Sequence, residues 1–365
     1  MKQFHYFILR SPFTIFVKSY IHMRTNNENR QRRRAFVLAF FGIVGLVVLF
    51  WLKPEKDKWF QQSGVVWNTE YNIKYWGNAD LSDSILAVFR RVELSVSPFN
   101  KESLVTALNE NRTDSVDELL KKVYLRSVEI NRESQGAFDP TVSPLVNAWG
   151  FGYKTEQLPD AAAIDSIMQF VGIGKTRLKD GRMVKDDSRI TFNFSAIAKG
   201  MGSDEVGRML ERNGVDNYLV EIGGEIVMKG KNPQGEKWHV SVDKPVVSND
   251  TVVHESAEVI AVSGCGIATS GNYRNYKVDA EGRRYAHTIS PATGRPIQSD
   301  VLSATVVAPD CMSADAYATV FMVMGSELSK KLIEKNDSLA VMLILADSSG
   351  KNKIWQNERF RKLVE

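Results

Sequence analysis

The alternation of hydrophobic and polar positions begins only after an N-terminal apolar run. From Ala35 to Leu52 the sequence AFVLAFFGIVGLVVLFWL carries no charge, and as a helix it is long enough to cross a hydrocarbon core of about 30 Å. The basic run RQRRR (residues 30–34) precedes it, and the positive-inside rule places that end in the cytoplasm. We therefore predict a cytoplasmic leader over 1–34, a transmembrane anchor over 35–52 and a linker over 53–64.

This interpretation places the protein in the inner membrane as a single-pass protein, with its globular domain on the periplasmic or other extracytoplasmic side. A cleaved signal peptide is the alternative. It is disfavoured because no A-x-A site follows the apolar run.

Beyond the linker, residues 65–365 mix short strands with longer helices. Val65–Gly77 alternates as a half-buried strand does, whereas Leu81–Ser97 has the apolar spacing of an amphipathic helix. A β-branched strand, Leu302–Val307, is followed by a helix that begins after Pro309. Because several hairpins interrupt the helices, we predict an α+β domain with mixed, hairpin-rich sheets and flanking helices, preceded by the transmembrane helix.

Composition excludes some functions. The chain is 25% charged and 43% hydrophobic, as is ordinary for a globular protein. Its net charge of +4 depends on the arginines of the N-terminal segment, so a general nucleic-acid surface is not indicated. The two cysteines, Cys265 and Cys311, lack metal-type spacing, and two small buried thiols are the favoured interpretation.

Candidate chemistry lies in two regions. In the C-terminal one, a small-residue turn at Ala268–Gly271 is followed by two strands, and His287 stands near the end of the second strand. Asp315 and Thr319, four residues apart on the following helix, direct two oxygen side chains to one spot. From spacing alone, a helix-start carboxylate and a solvent-facing hydroxyl explain this pair equally well.

The other region is the small-residue turn Ser195–Ala198, which opens a helix with Lys199 at its start. Free backbone N–H groups, the positive end of the helix dipole and a cation together favour an anion. Such turns also occur for purely structural reasons, and the glycines at 200 and 202 do not form a dinucleotide-binding fingerprint.

Six blocks of sequence, in order, resemble one known family. They are FDPTVSPLVNAWGFG at 138–152, FSAIAKG at 194–200, LVEIGGEI at 219–226, IATSGNYRNY at 267–276, YAHTISPATGRPI at 285–297 and ADAYATVFMVMG at 314–325; SPFNKESLVTALN at 97–109 is a weaker match. Together they cover most of the chain from about Val65 onward and resemble the ApbE-like family, the FAD:protein FMN transferases.

The resemblance implies an enzyme that binds FAD with Mg²⁺ and transfers the FMN half to a threonine hydroxyl of a partner flavoprotein, releasing AMP. It also implies that the acceptor is a subunit of a membrane redox complex carrying a Ser/Thr flavinylation motif.

The resemblance further implies roles for individual residues. His287 would be the general base, and Mg²⁺ would be held by Asp315, Thr319 and the carbonyl of Ala196. Lys199 would meet the phosphates. The remaining FAD contacts would come from Ser97, Pro98, Phe99, Asp139, Thr269, Ser270 and Gly271. Asn193 stands where many relatives have an aspartate, which removes a charge near the expected phosphate.

Two other functions remain open at this stage. The same site could deliver water instead of threonine, giving an FAD pyrophosphatase that yields FMN and AMP. The chain could also be a membrane-tethered flavin-binding protein without catalysis, although a general base and a metal pair would be unnecessary for binding alone.

Overall fold

The computed structural model describes residues 34–44, 57–151, 158–244, 255–271, 276–278, 284–286, 288–346 and 352–365. The chain divides into two compact units, Met1–Lys56 and Asp57–Glu365. In the first unit, the described residues 34–44 are helical.

The predicted transmembrane anchor is wrong. Within the described residues, which include 35–44 of that segment but not 45–52, no helix is long and apolar enough to cross a membrane. An apolar run satisfies hydropathy, but a span also requires one continuous helix of about 20 residues. The predicted single-pass location in the inner membrane depended on that helix and is wrong with it.

The second unit contains fourteen described strands. They are β1 (Lys58–Val66), β2 (Thr69–Gly77), β3 (Thr176–Lys179), β4 (Arg182–Lys185), β5 (Tyr218–Ile222), β6 (Glu225–Lys229), β7 (Trp238–Lys244), β8 (Glu255–Val262), β9 (Cys265–Gly271), β10 (Tyr276–Val278), β11 (Arg284–Ala286), β12 (Val301–Ala308), β13 (Ala340–Ala346) and β14 (Asn352–Gln356).

Eight described α-helices accompany these strands. They are α1 (Ser82–Val96), α2 (Leu104–Asn109), α3 (Glu118–Glu133), α4 (Ser143–Ala148), α5 (Ala161–Met168), α6 (Ser195–Arg212), α7 (Cys311–Lys335) and α8 (Glu358–Arg361). The α+β prediction for this part of the chain is confirmed.

The main sheet has eight strands in the order β1-β2-β5-β6-β9-β12-β13-β14, and its neighbouring pairs are antiparallel. Strand β1 begins inside the segment that we expected to be a linker. Its residues alternate between more and less exposed positions, and Lys58 already pairs with Gly77 of β2. Because one face of this hairpin packs on the core, strand pairing extends back to Lys58.

We predicted that the small-residue stretch Ala268–Gly271 would be a turn. It instead forms the end of β9 and pairs with residues 303–306 of β12. Helix α7 lies very close to the same strand at Gly266, two residues before this stretch. A Cβ added to Gly266 would lie 2.2 Å from the backbone nitrogen of Cys311. Packing across the sheet therefore overrides the low strand propensity of glycine.

The core lies between the sheet and the two helices α6 and α7. Ile197, Met201 and Val206 of α6 and Tyr317 and Phe321 of α7 are fully or almost fully buried within one continuous hydrophobic cluster. This packing brings the first turn of α6 next to the first turns of α7, where the candidate site lies.

Candidate active site

A cavity of about 640 Å³ opens where the first turn of α6, the end of β9 and the start of α7 meet. This volume is typical of pockets that bind small molecules and cofactors. Eight of the predicted site residues line it: Asp139, Ala196, Lys199, Thr269, Ser270, Gly271, Asp315 and Thr319. The structure therefore brings together side chains that are 180 residues apart in sequence.

The start of α6 is fixed by its flanking residues. Phe192 and Phe194 are completely buried and stack with their ring centroids 5.7 Å apart. Between them, the Oδ1 atom of Asn193 accepts a hydrogen bond of 2.9 Å from the backbone N–H of Ser195. Asn193 thus has a structural role at the beginning of the helix. An aspartate could accept the same hydrogen bond, but it would add a negative charge.

Helices α6 and α7 cross at Gly200. A Cβ at this position would lie 2.3 Å from the carbonyl oxygen of Cys311, so only glycine allows the approach. The backbone N–H of Gly200 donates a hydrogen bond of 3.0 Å to Oδ2 of Asp315. Asp315 is 4% exposed, and burial raises the pKa of its carboxyl group.

Asp204 of α6 also connects the two helices. Its two carboxylate oxygens accept hydrogen bonds from the backbone N–H groups of Cys311 (2.9 Å) and Met312 (3.0 Å) at the start of α7. Burial raises the pKa of Asp204 to about 6. This carboxylate therefore links α6 to the N-terminus of the helix that carries Asp315 and Thr319.

Lys199 is paired with a residue that the sequence analysis did not single out. Its Nζ atom lies 2.5 Å from Oε1 of Glu225, the first residue of β6. Burial opposes the charged form of Lys199, but Asp315 and Glu225 outweigh it and raise the lysine pKa. Burial and the charge of Asp315 raise the pKa of Glu225 to about 8.

Glu225 belongs to the block LVEIGGEI, in which the sequence analysis gave it no role. Its two glycines, Gly223 and Gly224, adopt φ values of 65° and 94° in the turn between β5 and β6. Such a turn reverses the chain within two residues. The side chain of the residue that follows the turn therefore has a defined direction. Nothing in the sequence indicated that the side chain after these glycines would reach Lys199.

Hydroxyl groups cover the β9 side of the cavity. The Oγ atom of Ser270 lies 3.4 Å from Oγ1 of Thr319, and Thr269 forms a hydrogen bond of 2.9 Å with Thr305 of β12. Ser270 and Thr319 thus meet across the gap between strand and helix. Their oxygens are available at the cavity wall next to Asp315.

The residues present fit a hard divalent cation such as Mg²⁺. Asp315 supplies one buried carboxylate, Thr319 a hydroxyl one turn further on, and Ala196 lies at the same wall. Among the described residues, no hydrogen-bond donor is paired with the second carboxylate oxygen of Asp315. The described part of the chain has no group of three or more His, Cys, Asp or Glu side chains that could hold a metal, so neutral oxygens would have to complete the ligand set.

Asp139 lines the cavity, but its oxygens are used within the protein. Oδ1 accepts hydrogen bonds from the backbone N–H (2.8 Å) and hydroxyl (2.6 Å) of Thr141, and Oδ2 accepts one from the N–H of Ile173 (2.8 Å). Burial raises its pKa. In this structure Asp139 orders the loop that leads to α4.

Four predicted site residues are not placed at the cavity. Ser97, Pro98 and Phe99 follow α1 and are absent from its described lining, and the Phe99 side chain is 78% exposed. His287 lies outside the described residues, whereas the following residues, Thr288 and Ile289, do line the cavity. The roles of these four residues stay predictions.

Comparisons with known proteins agree with this geometry. The family model described as the ApbE family matches residues 67–343. An FAD:protein FMN transferase from Haemophilus influenzae is 33% identical over 328 residues, covering 85% of this chain and 93% of the relative. A protein of the same name from Vibrio cholerae is 36% identical over 302 residues, covering 79% and 88%. The solved flavin transferase ApbE from Vibrio cholerae has a TM-score of 0.75 and 34% identity, covering 84% of this chain and 99% of that one. The chain therefore belongs to the ApbE family.

Proposed function

We propose that this chain transfers the FMN half of FAD to a threonine hydroxyl of an acceptor flavoprotein, with Mg²⁺ as cofactor and AMP as the second product. The general activity, FMN transfer from FAD to a protein, is that of the curated relatives, which are 31–36% identical over most of the chain. The observation that supports the proposed Mg²⁺-dependent transfer to threonine is that Lys199, Asp315 and Thr319 line one cavity.

The proposed reaction exchanges one phosphoester for another. The threonine oxygen forms a bond to the phosphorus that carries riboflavin, the bridging P–O bond of the pyrophosphate breaks, and AMP leaves with the bridging oxygen. The hydroxyl proton passes to a base, which we assign from the sequence to His287, because imidazole titrates near neutral pH. No oxidant or reductant is needed.

The described residues account for the charge that this reaction must offset. Lys199 places an ammonium group at the cavity wall, next to the first turn of α6. A cation held in a partly dehydrated site stabilises phosphate oxygens more strongly than it would in water. Mg²⁺, held by Asp315, Thr319 and the carbonyl of Ala196, would supply further neutralisation of the pyrophosphate.

We propose that the acceptor is a flavoprotein subunit of a membrane redox complex with a Ser/Thr flavinylation motif. In support of a protein acceptor, two small residues, Ser270 and Gly271, line the cavity at the end of β9. Small residues there leave room for the acceptor main chain to approach the phosphate.

The experiment is to incubate the full chain with FAD, Mg²⁺ and such an acceptor, and to measure the acceptor mass and the nucleotide products. The proposal predicts that the acceptor gains the mass of FMN minus one water, that one AMP forms per acceptor, and that EDTA stops both. Free FMN with AMP and an unmodified acceptor would instead indicate the pyrophosphatase, and intact FAD a binding protein.

A further inference from the structure

Residue 225 is attached to α6 at two points. Its side chain pairs with Lys199 (2.5 Å), and its carbonyl oxygen accepts a hydrogen bond of 3.0 Å from the hydroxyl of Ser203. Lys199 and Ser203 are four residues apart on α6 and therefore lie on one face of the helix. The start of β6 is thus held against the first two turns of α6, and the Glu225 carboxylate has a defined position.

Three charged groups share this small buried region. Glu225 is 3% exposed and Asp315 is 4% exposed, and both act on Lys199. Of the two carboxylates, only Glu225 forms an ion pair with the lysine among the described residues; Asp315 instead accepts a hydrogen bond from Gly200, the neighbour of Lys199. The ammonium group therefore has two possible partners and is held at one of them.

The Glu225 side chain also has an unsatisfied atom. Its second oxygen, Oε2, is buried and has no hydrogen-bond partner in the described structure. Leaving a buried carboxylate oxygen without a donor costs free energy, and a hydrophobic residue at this position would avoid the cost. A buried acidic side chain retained under these conditions is explained best by its contact with Lys199.

We propose that Glu225 is a positioning residue that holds the Lys199 ammonium group away from Asp315, so that Asp315 remains free to bind the divalent cation. Without Glu225, the other carboxylate that acts on Lys199 is that of Asp315, and an ion pair between them would compete directly with the metal. The proposal rests on the proposed function for the identity of the cation, but not for the lysine contact.

Metal affinity can be measured without FAD, acceptor or turnover. Binding of Mn²⁺, a paramagnetic substitute for Mg²⁺, to the full chain is followed by electron paramagnetic resonance. We expect Glu225→Ala to weaken Mn²⁺ binding by about tenfold or more, the effect typical of losing a residue that orients a metal ligand. Glu225→Gln keeps an oxygen acceptor for Lys199 but loses the charge, so we expect a smaller loss.

The double variant Glu225→Ala with Lys199→Met distinguishes positioning from a merely structural role. It removes the competing ammonium group, so Mn²⁺ affinity should return to within about threefold of the unmodified chain, while FMN transfer stays low because Lys199 is missing. Glu205→Gln is the matched control. Glu205 is a buried glutamate of α6 that pairs with Arg91, Lys122 and Arg208 and does not line the cavity; its replacement should leave Mn²⁺ affinity unchanged.

Two results would overturn the proposal: unchanged Mn²⁺ affinity in folded Glu225→Ala and Glu225→Gln, or a double variant that binds Mn²⁺ no better than Glu225→Ala. Both are separate from failure of the proposed function. If the unmodified chain binds Mn²⁺ but does not transfer FMN with any divalent cation, the function is wrong while the role of Glu225 is still tested.

Discussion

Replacing Gly200 with alanine would add a methyl group that overlaps backbone atoms of α7. The added Cβ would lie 2.3 Å from the carbonyl oxygen of Cys311, 2.7 Å from its carbonyl carbon and 2.9 Å from Cβ of Asp315. An ordinary contact is about 3.4 Å or more, so α6 and α7 would have to separate by about 1 Å. Backbone atoms cannot rotate away as a flexible side chain can.

The expected loss of stability follows from opposing terms. Overpacking of this kind costs about 3 kcal/mol at the upper end of its usual range, whereas alanine is better than glycine within a helix by about 1 kcal/mol. We therefore expect Gly200→Ala to lower the free energy of unfolding by about 2 kcal/mol. Separation of the helices would also lengthen the hydrogen bonds from Gly200 to Asp315 and from Cys311 to Asp204, so Mn²⁺ affinity should fall as well.

Urea unfolding followed by circular dichroism measures the change. Gly174→Ala is the control, because a Cβ there has no atom within 4 Å and its φ is not positive; we expect its effect to stay within about 0.5 kcal/mol. If Gly200→Ala unfolds at the same urea concentration as the unmodified chain, with the same slope, the two helices do not approach as closely as described. The structural basis given for the site would then be refuted.

Other variants test separate parts of the account. Asp315→Ala should abolish Mg²⁺-dependent FMN transfer while the chain still folds, measured as acceptor mass; unchanged transfer would remove Asp315 from the metal site. His287→Gln should lower kcat more than FAD affinity, and normal kcat with weakened FAD binding would make His287 a binding residue instead. Asp204 should make the stability of the fold depend on pH. In the folded state the Asp204 carboxyl group keeps its proton up to about pH 6, whereas in the unfolded chain it releases the proton near pH 3.8. The contribution of Asp204 to stability therefore decreases as the pH rises from about 3.8 to 6. Relative to Asp204→Asn, the unmodified chain should lose about 2 kcal/mol of unfolding free energy between pH 4 and 6; a constant difference would contradict this.

The helical part of the site was predictable because spacing along a helix determines which side chains share a face. Asp315 and Thr319 follow an N-cap, Asp310, and both lie at the cavity wall. Likewise, the small-residue turn before Lys199 marked the start of α6, and the antiparallel hairpins supported the α+β interpretation. In these regions local pattern and tertiary structure agree.

The rest depends on contacts between distant segments. Ala268–Gly271 has the composition of a turn, but pairing with β12 makes it a strand. The ion pair between Lys199 and Glu225 requires the turn after β5 to point into the first turn of α6. For the apolar run at 35–52, hydropathy predicted a membrane span, whereas no helix among the described residues is long and apolar enough to cross a membrane.

The most direct test of the central claim is a crystal structure of the full chain with FAD and Mg²⁺. The account predicts that the FAD pyrophosphate lies in the cavity, with a phosphate oxygen within hydrogen-bond distance of the Lys199 ammonium group and the cation bound to Asp315 and Thr319. Lys199 should still contact Glu225. Pyrophosphate bound elsewhere, or a cation that does not contact Asp315, would contradict the account.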